Sequence, residues 1–172
     1  MRVRILITAA VLLAGCNERR TAPPVQTQQE ADPLVRRVAY RTNYGKESVY
    51  LVQAPSNIPP HSAILVYFHG ATKDESQGMQ LFPLLREWVA AHGGIYVSPK
   101  DYEIDNLLKD VTSRYGDRPG YLAGAAAGGG CVYERAREAP NRFAGLFLIG
   151  PAMWVNGDRE TELTHPTFLI FG

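Results

Sequence analysis

PGYLAGAAAGGGCVYERAR, residues 119–137, carries the strongest architectural signal in the chain. A short apolar strand, Gly120–Ala123, runs into a corner of small residues, Gly124-Ala125-Ala126-Ala127-Gly128. An amphipathic helix follows, to about Glu138. Small residues on both sides of such a bend let a helix approach the strand that feeds it. The centre of the bend, Ala126, carries only a methyl group.

The same alternation continues outward in both directions. Upstream, Ala63–Phe68 is a continuous apolar run of the kind buried on both faces of a parallel sheet, and it ends at His69-Gly70. Met79–His92 has helical spacing, with Leu81, Leu84, Leu85, Trp88 and Val89, and stops at Gly93-Gly94. Ile95–Val97 reads as a short strand closed by Pro99, and Ile104–Tyr115 as a helix. Downstream, Ala144–Ile149 and Thr167–Phe171 read as two more buried-type strands. Before all of these, Val35–Thr42 and Ser48–Ala54 flank a turn at 43–47 and predict a hairpin. A hairpin followed by βαβαβαβ predicts an α/β fold. Its sheet is mostly parallel, with helices on both faces and an N-terminal antiparallel hairpin.

In open parallel sheets ligands bind beyond the carboxyl ends of the strands. The His69-Gly70-Ala71-Thr72 loop and the 124–128 corner both fall at such ends. YFHGAT (67–72), followed by YLAGAAAGGGCVYERAREAPNRFAGLFLIGP (121–151), resembles the α/β-hydrolase superfamily. The likeness is to secreted serine esterases of the polyhydroxybutyrate depolymerase and feruloyl esterase type, and it covers roughly residues 48–172. Family members read G-x-S-x-G at the corner, with the nucleophile on a sharp strand-to-helix turn. The resemblance implies two backbone donors for an oxyanion. One is the N–H of Ala127; the other is that of Ala71 or Thr72. His69, Gly70, Gly124 and Gly128 are the supporting motif.

The departures bear directly on activity. Ala126 stands where the family has its serine, and Ala125 replaces an aromatic or histidine neighbour. The family's acid follows the strand matched here by Thr167–Phe171, and its histidine comes later still. The expected domain is therefore a C-terminally incomplete α/β-hydrolase of carboxylic ester hydrolase ancestry without turnover. Loss of the nucleophile alone costs about 10⁶ in kcat in a well-studied serine protease. Two other classes compete. One is a non-catalytic pseudohydrolase that binds a small ester, an acyl ligand or a partner. The other is a dinucleotide-binding fold, because Gly124-x-x-x-Gly128-x-Gly130 resembles the phosphate turn of short-chain dehydrogenases. Too little chain follows Gly130 to complete that fold. No cofactor is expected, and Asp101, Asp105 and Asp110 read as solvated charges rather than a metal cluster. Cys131 reads as an inert helix-packing thiol, His165 as a turn residue, Trp154 as a core or pocket residue, and Glu160 and Glu162 as loop charges.

The N-terminus carries a separate message. Arg2 and Arg4 precede an apolar run, Ile5–Leu13, too short to span a bilayer, which needs ~20 residues. Residues 1–16 therefore read as a secretory signal. Its Leu13-Ala14-Gly15-Cys16 ending resembles the bacterial lipobox, which implies cleavage before Cys16 and a diacylglycerol on its sulfur. Residues 17–33 are polar and proline-bearing and read as a tether; 34–172 form the domain. The expected location is the bacterial cell envelope, with the domain on the extracytoplasmic side of a membrane. A formal net charge of +1 without a basic patch argues against a nucleic-acid partner.

Overall fold

The computed structural model describes residues 35–71, 74–139, 141–151 and 166–170. The hairpin comes first along the chain, β1 (Val35–Arg41) against β2 (Glu47–Gln53), antiparallel, with Val38 opposite Tyr50. Its turn closes through the Gly45 N–H to the Thr42 carbonyl at 3.0 Å, and Gly45 takes φ +71°, which only glycine adopts at no steric cost. The alternating units follow as β3 (Ile64–Phe68), α1 (Ser76–Leu81), α2 (Pro83–Ala91), β4 (Ile95–Pro99), α3 (Ile104–Tyr115), β5 (Gly120–Ala125), α4 (Ala127–Glu138), β6 (Gly145–Ile149) and β7 (Thr167–Ile170). They join the hairpin in one seven-stranded sheet of order β1-β2-β4-β3-β5-β6-β7. The pairings among β4, β3, β5, β6 and β7 are parallel, and β2 meets β4 antiparallel.

Strand period puts the core on both sides of this sheet. Ile64, Val66 and Phe68 of β3 point to one face, where Ile104, Leu107 and Val111 of α3 and Val132 and Ala136 of α4 cover them. Leu65 and Tyr67 point to the other, against Met79 of α1 and Val89 of α2. All five residues of β3 are buried, as its unbroken apolar sequence requires. The expected fold class holds: a mostly parallel sheet, helices on both faces, an N-terminal hairpin.

One expectation needs correction. The single helix expected over Met79–His92 is two, broken at Phe82 (φ −131°, ψ 63°). Pro83 is the cause: it donates no N–H and keeps the residue before it out of helical geometry, while suiting the first turn of the new helix. The strand expected over Thr167–Phe171 forms at 167–170 as the last of the sheet among the described residues, where Phe168 and Leu169 are 58% and 52% exposed. Among the described residues, no helix is long and apolar enough to cross a membrane.

Candidate functional site

The strand order creates the site before any side chain is considered. β3 and β5 are parallel neighbours, with Phe68 level with Gly124. The chain leaves β3 toward α1 on one face and leaves β5 toward α4 on the other. Connections that part to opposite faces open a crevice at the carboxyl ends of the two strands. His69–Ala71 and Ala126 lie at that crevice.

Ala126 joins β5 to α4 in a conformation that side chains rarely adopt, φ 48° and ψ −118°. Its N–H donates to the Ile149 carbonyl of β6 at 3.1 Å, and its carbonyl accepts from the Gly130 N–H at 3.1 Å. One residue therefore makes the last sheet bond and the first helical one. The bend leaves Ala126 exposed at the crevice while its neighbours Gly124 and Gly128 are buried. A positive φ at a non-glycine residue costs of order 1–3 kcal/mol and persists only where the surroundings impose it.

The glycines show what imposes it. A Cβ on Gly124 would lie 2.5 Å from the Gly128 carbonyl oxygen, and one on Gly128 would lie 2.2 Å from that of Phe68. A Cβ on Gly129 would meet Pro151 at 2.9 Å. The first turn of α4 is thus wedged against β3, β5 and the chain after β6, and no larger residue fits. Gly124 and Gly128, expected as supporting residues of the motif, are held to glycine by this packing.

The opposite wall is the loop after β3. A Cβ built on Gly70 would lie 3.9 Å from that of Ala126, so the loop and the bend meet face to face. His69 is buried, its Nδ1 2.8 Å from the Gly70 carbonyl oxygen and its Nε2 3.2 Å from the Lys100 carbonyl oxygen. The Tyr102 hydroxyl donates to the Gly70 carbonyl and, at 3.1 Å, to the His69 carbonyl. Burial pushes the Tyr102 phenol up. The rings of Tyr102 and His69 lie 5.5 Å apart. Sequence reasoning missed Tyr102. Its only signal is topological: β4 neighbours β3, so the chain after Pro99 runs beside the loop after Phe68.

Ala127 is the first residue of α4, and Ala71 is exposed in the loop beside Gly70. Thr72, Cys16, Trp154, Glu160, Glu162 and His165 lie outside the described residues. Cys131 sits in α4, half-buried, and burial raises its thiol above the usual range, as expected of a packing cysteine rather than a nucleophile. The aspartates are not simply solvated charges. Asp101 accepts from the Ser48 hydroxyl, Asp110 from Tyr50 at 2.8 Å and Arg114 at 2.7 Å, and Asp105 from Arg135 and Arg142. Helix-face position alone does not reveal such cross-element partners. No group of three or more metal-ligating side chains occurs among the described residues. A separate cavity of about 530 Å³ lies between the hairpin and α3, lined by residues such as Tyr40, Arg41, Asn106 and Lys109; no residue of the bend or the His69 loop lines it.

No protein-family model and no curated protein sequence matches the chain. Solved structures do. S-formylglutathione hydrolase FrmB from Staphylococcus aureus superposes with a TM-score of 0.56 at 16% identity, over 68% of this chain and 57% of that one. FphF, a fluorophosphonate-binding serine hydrolase from Staphylococcus aureus, gives 0.55 at 17% identity, over 68% and 56%. A ferulic acid esterase gives 0.55 at 14% identity, over 68% and 59%. The matched region thus spans a little over half the length of each of these structures. With the strand order and the bend at Ala126, these likenesses identify the fold of this chain as that of the α/β-hydrolases.

Proposed function

We propose that this domain is a lipid-anchored protein of carboxylic ester hydrolase lineage that holds an ester or acyl carbonyl without cleaving it. The observation that carries the reading is the pairing of Gly70 with a strained Ala126. The bend keeps the backbone shape of a nucleophile turn, yet a methyl group occupies the place of the reacting oxygen. In this reading the N–H groups of Ala127 and Ala71, or Thr72, point at one bound oxygen. Backbone donors fixed in this way need no reorganisation when a ligand arrives. The solved hydrolases of like fold support the lineage.

The dinucleotide alternative fits the site less well. The space at Gly124 and Gly128 is filled by protein backbone, so those glycines serve packing and leave no room there for a pyrophosphate. The lipid anchor at Cys16 and the extracytoplasmic location rest on the N-terminal sequence.

Nuclear magnetic resonance titration of the full chain with butyrate and with methyl butyrate tests the binding. Shifts confined to the amides of residues 70–72 and 126–128 are expected, with no release of alcohol from the ester. Amides that stay unmoved at millimolar ligand overturn the proposal; so does steady hydrolysis of the ester.

A further inference from the structure

We propose that the outer face of α2, centred on Leu84 and Trp88, docks on the lipid surface to which the chain is anchored; this rests on the lipid-anchor reading of Cys16. Helix α2 is apolar in two directions. Leu85 and Val89 point to the sheet and pack in its core. Leu84 and Trp88, one turn apart, point outward and are 79% and 56% exposed, and Leu81 at the end of α1 is itself 54% exposed. Contiguous exposed apolar side chains mark a surface that meets something else.

The character of the patch suits a bilayer interface. It is the convex side of a helix, which presents no groove for a peptide. Trp88 is an amphipathic ring of the type enriched where lipid meets water. Its ring lies against that of His92, with centroids 4.3 Å apart and planes tilted by 32°, and His92 Nδ1 lies 2.8 Å from the Trp88 carbonyl oxygen. The indole is therefore held in place, and little side-chain freedom is lost on docking. Arg86 is half-buried and Glu87 is exposed, so the contact does not depend on anionic lipid.

Tethering makes a patch this small sufficient. A polar, proline-bearing tether of the length read from the sequence at 17–33 has a coil reach of roughly 20–25 Å. A surface that close acts at high effective concentration, and a weak contact then sets orientation. The docking face belongs to the helical unit that leaves directly from the His69–Ala71 loop, so orienting α2 also orients one wall of the crevice.

The test uses the lipidated full chain in phosphatidylethanolamine–phosphatidylglycerol vesicles with brominated acyl chains. The protein has two tryptophans, so Trp154→Phe leaves Trp88 as the sole emitter. Its emission is expected to fall by roughly half or more relative to unbrominated vesicles, as for a ring ~5–10 Å into the headgroup boundary. Leu84→Glu restores the emission while the chain still floats with the vesicles. Should Trp154→Phe fold poorly, the difference in quenching between the wild type and Trp88→Phe reads the same contact. A floating chain with unquenched Trp88 overturns the docking and leaves the anchor standing. A chain that does not float overturns the anchor, and the docking with it.

Discussion

Gly70 faces Ala126 across the carboxyl ends of β3 and β5, so closely that a Cβ on Gly70 would stand 3.9 Å from that of Ala126. Both walls of this crevice are shaped by backbone packing, so its form does not depend on which side chain occupies position 126. The strain at Ala126 is then a property of the fold rather than of a reaction. Glycine reaches φ 48° without steric cost, although it loses more chain entropy on folding. Ala126→Gly is accordingly expected to raise stability by about 1 kcal/mol, as relief of 1–3 kcal/mol of strain exceeds the entropic cost. Urea denaturation measures it. A lower midpoint for the variant contradicts the strain.

Gly128 and Gly70 respond oppositely to the same change. A methyl on Gly128 would meet the carbonyl oxygens of Phe68 at 2.2 Å and His69 at 2.3 Å, both backbone atoms of a buried region. Neither can swing aside, so Gly128→Ala is expected to cost about 3 kcal/mol and to open the bend. Gly70→Ala meets only ordinary contact and is expected to cost less than about 1 kcal/mol. Thermal unfolding of the two variants side by side gives the contrast. Equal losses would mean that α4 is not wedged at its first turn.

The contrast also shows what was legible in the sequence. Runs such as Ile64–Phe68 declare a buried parallel strand, and the glycines about Ala126 declare a tight strand-to-helix bend, because each follows from local sterics. The break at Phe82 was legible too, in Pro83, and was outweighed by the helical spacing around it. Tyr102 was not legible. Its hydroxyl matters only because β4 lies beside β3, and neighbours in a sheet are set by the whole topology. The ion pairs of Asp105 were hidden for the same reason, since Arg135 and Arg142 are distant in sequence.

Tyr67 offers an alkaline test of the core. Its side chain is buried between Phe82 and Tyr96, and its hydroxyl oxygen finds no hydrogen-bond partner among the described residues. Burial pushes its phenol up to about 12. A pKa raised by folding leaves stability intact below the unfolded value near 10 and removes it as pH climbs through the folded value, by about 1.4 kcal/mol per unit. Tyr67→Phe is expected to remove this group's share of the alkaline loss and to gain about 1 kcal/mol at neutral pH, because an unpaired buried hydroxyl disappears. Chemical denaturation at pH 8, 10 and 11 distinguishes the variants. Parallel pH profiles would show that the hydroxyl is hydrated.

Asp105 governs the acid side. It lies in the first turn of α3 and meets Arg135 in the last turn of α4, so both helix dipoles favour the pair. Burial alone would raise its carboxyl, but the guanidiniums of Arg142 and Arg135 outweigh that and hold it below the ordinary range. A depressed pKa contributes stability above the unfolded value near 3.9 and loses it as pH falls through the folded value. The pair is a third exposed on the carboxylate side, so the contribution is about 1 kcal/mol or less. Asp105→Asn should lower the midpoint temperature at pH 7 by a few degrees and converge with the wild type near pH 2. A gap that persists undiminished at that pH would assign the effect to packing rather than charge.

Ala126→Ser puts a hydroxyl at the bend and asks whether the 172-residue chain can use it. A serine needs a base within hydrogen-bond reach, roughly 2.6–3.2 Å. His69 is the described histidine closest in the fold to the bend, but carbonyl oxygens of Gly70 and Lys100 flank its two ring nitrogens. His61 precedes β3 and His92 precedes β4, which places both at the amino ends of the strands, opposite to the bend. His165 lies outside the described residues. The variant is therefore expected to hydrolyse p-nitrophenyl acetate no faster than the wild type within about tenfold, and to resist labelling by a fluorophosphonate at residue 126. A rate gain of about a thousandfold would mean that a base reaches position 126 after all, and that the methyl group is the sole barrier to catalysis.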